Sequence, residues 1–269
     1  MAGNFLTTPS SASSFITTRR RVTVLLFAWT AGSVDAIAYL RAHVFTANMT
    51  GNSVLLALAV GQGQGLATAK ALIALVAFVI GVLLGAILAG EGGDRVKTFT
   101  AVRREVFFEA AVLVLFAIAC VHPPTAAIHS TVVLVIFTSG VAMGMQSAAV
   151  KRLSLPGIAT TYITGTITSL FSGMVHNWIT RKSRIERMPA EPASGNLPQP
   201  SMRHSLGLQA QVYLSYTIAA LACGILHNYW PSGVAILPVL AIAGIGAYML
   251  FAKPATRLTS ISSRQDLST

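Results

Sequence analysis

The chain has 269 residues, of which 54% are hydrophobic and only 10% charged, against about 25% charged residues in a soluble domain. With a mean hydropathy of +0.67, that balance excludes a disordered chain, a coiled coil and an ordinary cytosolic enzyme. The net charge of +11 comes from 19 Lys and Arg against 8 Asp and Glu. The basic residues lie between apolar runs and form no patch with interleaved aromatics. They therefore read as membrane loops with positive-inside bias and not as a nucleic-acid surface.

Residues 1–21 form a Ser/Thr-rich tail, expected to be disordered, that ends in Arg19-Arg20-Arg21. The apolar run 22–40 follows. It resembles a signal peptide, with small residues at Ala36 and Ala38, but it contains Asp35 and exceeds the usual h-region of about 7–15 residues. It reads as an uncleaved first transmembrane helix. Seven further apolar segments follow at 46–61, 67–90, 105–122, 130–150, 157–179, 208–228 and 232–251. A spanning helix needs about 20 such residues. The expected fold is an all-α polytopic membrane bundle of one domain, 22–251. A polar loop is expected at about 180–207 and a polar tail at 252–269.

Segments 46–61 and 157–179 differ from the rest, because each opens with a polar half containing Thr and Gly. They also match each other. Arg41 precedes Thr50-Gly51, and Arg152 precedes Thr164-Gly165; Asp35 stands six residues before the first Arg and Gln146 six before the second. Gly81-x-x-x-Gly85 corresponds to Ala220-x-x-x-Gly224. The alignment predicts two homologous halves, about 22–122 and 130–251.

Charge counting decides between two topologies. If all eight segments cross, 12 Lys and Arg fall on one side and seven on the other. If the two odd segments dip in and return, 17 lie inside and only Arg41 and Lys70 outside. The second split favours six spans plus two re-entrant segments, with both termini cytoplasmic. Each half then has an odd number of spans, so the halves are inverted. Inverted repeats with broken segments in matching places point to a transporter binding site.

The run Gly32-Ser33-Val34-Asp35-Ala36, followed by Phe45-Thr46-Ala47-Asn48-Met49-Thr50-Gly51-Asn52, resembles the YoaK family, domain of unknown function 1275. The resemblance covers about residues 20–250. It implies a multi-pass protein of the bacterial inner membrane, and it transfers no functional residue.

The candidate site follows from the broken segments. Non-helical backbone at membrane depth needs protein or a water-lined cavity to satisfy it. A helix start offers free N–H groups and a positive dipole end. Asn48, Thr50, Gly51 and Asn52 in the first half, with Thr161, Thr164, Gly165 and Thr166 in the second, are the expected binders of a small polar or anionic solute. N-caps and packing contacts are the competing role. Asp35 is the sharpest single residue, since a carboxylate inside a span costs roughly 2.5–3.5 kcal/mol. It is expected to bind a coupling ion, to pair with Arg41 or to cap a neighbouring helix. Gln146 is its counterpart. Glu105 and Glu109 read as interfacial partners of Arg103 or Arg104.

His176-Asn177-Trp178 and His227-Asn228-Tyr229 read as interfacial belts. Gly81-x-x-x-Gly85 and Gly140-x-x-x-Gly144 allow close helix approach, within the chain or in a homo-oligomer. Cys120 and Cys223 lie in apolar runs without a C-x-x-C. No catalytic, phosphate-binding or zinc motif is present, so no cofactor, metal or nucleic acid is expected. The expected function is a secondary transporter or channel. The other classes are a membrane-embedded enzyme on a lipid-like substrate and a scaffold or sensor.

Overall fold

A computed structural model describes residues 11–89, 95–121, 128–152, 163–186 and 201–251. Among these the chain forms eight helices: α1 (Ser11–Ala42), α2 (Met49–Gly61), α3 (Gly65–Ala89), α4 (Arg95–Val121), α5 (Ile128–Arg152), α6 (Ile163–Glu186), α7 (Ser201–Tyr229) and α8 (Ile236–Phe251). The protein is an all-α polytopic membrane protein. Each helix grows from one of the eight apolar runs. Several extend beyond them: α1 starts at Ser11, inside the stretch expected to be disordered, and α6 and α7 take both ends of the expected 180–207 loop. Hydrogen bonding along a helix does not stop where the apolar residues do, so charged turns continue into the headgroup region.

Four helices are long and apolar enough to cross a membrane: α1, α3, α5 and α7. In α1 and α5, 67% of the apolar stretch is buried, against 28% in α3 and 17% in α7. So α1 and α5 form the centre, and α3 and α7 present apolar side chains such as Leu83, Ile87, Leu214 and Leu221 outward. In water such a surface would aggregate; in lipid it is solvated. The helix α4 fails the apolar criterion because its first turns carry Arg95, Lys97, Arg103, Arg104, Glu105 and Glu109. The 16-residue α8 is short.

Helix directions follow from residue contacts. The pair α3 and α5 runs parallel: Gly140 sits on Ala77, Gly81 on Val141 and Gly85 on Ala148. The pair α1 and α7 also runs parallel: Ser215 donates to the Leu25 carbonyl at 2.9 Å, and Gly32 lies on the backbone of Tyr216. Beyond α7, the Pro231 carbonyl accepts from Arg41 at 2.8 Å. Arg41 also donates to the Cys120 carbonyl at 2.7 Å. Thus α1, α4 and α7 finish at one end of the bundle. At the opposite end, Arg152 donates to the Gly85 carbonyl at 3.3 Å, and Arg104 donates to the Leu88 carbonyl. There α3 and α5 finish and α4 starts.

The start of α3 lies at the end where α1 finished, so α2 stands between two helix ends on one side of the bundle. The end of α5 and the start of α7 lie at the opposite end. The helix α2 packs on α3, and α6 packs on α7.

Both glycine motifs are used within the chain. A Cβ at Gly81 would lie 2.1 Å from the Val141 carbonyl oxygen, and one at Gly144 would lie 2.1 Å from that of Phe78. The absent side chains let two helix backbones touch.

Candidate functional site: a carboxylate holding a broken helix

The chain turns back at the end of α1. His43 adopts φ +60, and its N–H bonds to the Tyr39 carbonyl at 2.9 Å, closing the helix with a left-handed residue. The Phe45 ring then stacks on Tyr39, 5.2 Å between centroids. This reversal brings residues 46–48 alongside Asp35, six residues or about 9 Å inward from Arg41.

Asp35 is 3% exposed. Its Oδ1 accepts the backbone N–H groups of Thr46 at 2.7 Å and Ala47 at 2.6 Å. Its Oδ2 accepts the Tyr216 hydroxyl at 2.7 Å. One carboxylate thus binds α1 to the turn before α2 and to α7. Charge-assisted bonds of this kind contribute roughly 1.5–3 kcal/mol each. Of the three expected roles the geometry comes nearest the last: the carboxylate holds the turn just before α2, whose N-cap is Asn48. Arg41 is not its partner, because that guanidinium is held by the Cys120 and Pro231 carbonyls.

The rest of the Thr46–Asn52 block closes on itself. Asn48 is the N-cap of α2, its side chain accepting from the Gly51 N–H at 3.3 Å. The buried Asn52 accepts the Phe45 N–H at 2.9 Å and donates to the Phe45 carbonyl. Gly51 leaves room for the Phe45 ring, 3.1 Å from where its Cβ would stand. Thr50 is exposed. Asn52→Ala is expected to cost about 2 kcal/mol, since it unpairs both backbone groups of Phe45. Asn48→Ala, at an exposed cap, should cost about 1 kcal/mol. Thermal unfolding of the two purified variants in detergent checks that order.

The second half is built differently. Gln146 is fully buried and donates to the Phe27 carbonyl at 3.0 Å. Phe27 lies eight residues before Asp35, about 12 Å along α1, so the two polar residues do not form one site. Thr161 lies outside the described residues. Thr164 and Gly165 are exposed, with open space around Gly165, while Thr166 is buried. A surface groove on α6 is lined by Phe171, Ser172, Val175, His176 and Ile179.

The structure also corrects the reading of α4. Glu105 pairs with Arg152 of α5, Nε to Oε1 3.2 Å, and not with Arg103 or Arg104. Both Glu105 and Glu109 are fully buried. They are inside the bundle and not at its surface. Their i, i+4 spacing was visible in the sequence as a shared helix face. The side on which that face lies was not.

The family described as "Protein of unknown function (DUF1275)" matches residues 23–249. The chain belongs to that family. It is 34% identical over 166 residues to a protein of Bacillus subtilis (strain 168) named "UPF0700 transmembrane protein YoaK", covering 61% of this chain and 72% of the other. No solved structure matches. The residues that carried the resemblance, Asp35 with Phe45–Asn52, build the turn before α2 and its N-cap.

Proposed function

We propose that the protein is a secondary transporter or channel of the inner membrane for a small polar or anionic solute. Six helices span, α2 and α6 are re-entrant, and the two halves are homologous and inverted. The observation that carries this reading is the exchange pattern of helix packing. If each helix of the first half is replaced by the one four places later, the packing of α1 on α7 becomes that of α5 on α3. Likewise α4 on α5 becomes α8 on α1, and α2 on α3 becomes α6 on α7. Both central pairs run parallel, and the two returning helices open at opposite ends. A pseudo-two-fold axis in the membrane plane has this signature, and solutes bind at such repeat interfaces.

On this topology 17 Lys and Arg fall on the side of Arg152, against Arg41 and Lys70 on the other, which favours the Arg152 side as cytoplasmic. Both termini lie on that side in this reading. In the present state the N–H groups before α2 are taken by Asp35. An anionic solute would compete with that carboxylate for them.

Single cysteines at Gln64 and Thr100, in a background lacking Cys120 and Cys223, test the topology. Both positions are exposed. An impermeant thiol reagent should label the first on intact cells and the second only after the membrane is opened. Labelling of Thr100 from outside would make α2 a span and the halves parallel, and the reading would fall. Purified protein in vesicles should then accelerate swelling in isosmotic potassium lactate over protein-free vesicles.

A further inference from the structure

Glu109 sits deep inside the bundle. It lies 12 residues before Val121, where α4 finishes, about 18 Å along the axis. It is 0% exposed, and neither carboxyl oxygen has a hydrogen-bond partner among the described residues. The helices packed on α4 are α5, α8 and α3. From α5 comes Arg152, engaged with Glu105, and the exposed Lys151. From α8 comes only the half-buried Tyr248. The one charged residue of α3, Lys70, lies at the opposite end of the bundle. On α4 itself Arg103 and Arg104 are exposed, and Glu105 stands one turn away.

An ionised carboxylate with no donor and no cation, in a membrane interior, costs far more than a neutral acid does. Packing gives Glu109 no room to reach water. The group that completes it is a proton.

We propose that Glu109 is a proton-binding site, loaded in this state, with the Glu105–Arg152 pair as its link to the Arg152 end. On release the O–H bond of Glu109 breaks and its proton passes to the Glu105 carboxylate one turn away. That leaves Glu109 as the anion with Arg152 as its counter-charge; Glu105 then releases the proton at the Arg152 end, where the Arg152 side chain is 26% exposed. Coupling of this proton to solute movement rests on the transport reading above. The binding of the proton does not.

The test is infrared spectroscopy of the purified protein in lipid bilayers. A protonated-carboxyl band should be present at neutral pH, decline as the pH is raised, vanish in E109Q and persist in E105Q. A wild-type band that E109Q leaves intact, or no band at any pH, overturns the site. If E109Q does not fold, dicyclohexylcarbodiimide on the wild type decides, because it reacts with protonated carboxyls in apolar surroundings. Mass spectrometry should find the adduct on Glu109, decreasing with rising pH; no adduct overturns the proposal. Neither readout needs flux. A protein that moves no solute therefore leaves the proton site standing, and one that moves solute without the band refutes it.

Discussion

Gly144→Ala is expected to destabilise the protein by about 3 kcal/mol, at the upper end of the cost of overpacking. A Cβ there meets the Phe78 carbonyl oxygen at 2.1 Å, the Val82 nitrogen at 2.8 Å and the Gly81 Cα at 2.9 Å. All three are backbone atoms of α3, so no side-chain rotation relieves the clash and the helices must part. That separation also loosens the buried contacts of Ala77, Val141 and Met145. Gly81→Ala meets the Val141 carbonyl at the same distance and should cost as much. The double variant should cost less than the sum, because one separation relieves both clashes. Gly224→Ala, with nothing within 4 Å, is the control and should lose no stability. Unfolding in mixed micelles, followed by helical circular dichroism, measures all four. Equal stability of G144A and G224A would show that α3 and α5 do not touch as described.

Asp35→Ala is expected to cost about 4 kcal/mol and to release the turn before α2. The substitution leaves three donors without an acceptor: the N–H groups of Thr46 and Ala47 and the Tyr216 hydroxyl. Each buried orphan costs roughly 1–3 kcal/mol. Tyr216→Phe removes one bond of the three and should cost about 1–2 kcal/mol. The two variants also separate by position. A cysteine replacing the fully buried Thr46 should remain unreactive in the Y216F background and become reactive in D35A. If D35A leaves that thiol protected and stability unchanged, Asp35 does not hold the turn, and its burial requires another account.

The eight helices were legible because each rests on a long apolar run bounded by polar residues. The segment 67–90 and the helix Gly65–Ala89 agree closely. The two irregular segments were legible for a local reason as well. Asn48 caps Gly51 three residues away, and Asn52 binds Phe45 seven residues away. Bonds of such short range leave their mark as a run of Asn, Thr and Gly.

Long-range partners left no such mark. Asp35 stood out as a charge in an apolar run, yet its partner Tyr216 is 181 positions away. Sequence proximity suggested Arg41 for Asp35 and Arg103 or Arg104 for Glu105. The bundle instead carries Arg41 to Cys120 and Pro231, and Arg152 to Glu105. Residues one, two or six positions apart point to different sides of a helix, so proximity in sequence was a poor guide.

The sequence by itself determined that this is a membrane protein, where its helices lie and that α2 begins with a capped turn. These follow from apolar length and from hydrogen bonds a few residues long. Tertiary structure alone decided which helices run parallel, which end each polar residue occupies and which carboxylate is left without a donor. Those outcomes depend on backbones meeting at Gly32, Gly81 and Gly144, where the absence of a side chain sets the spacing and the spacing selects every buried partner.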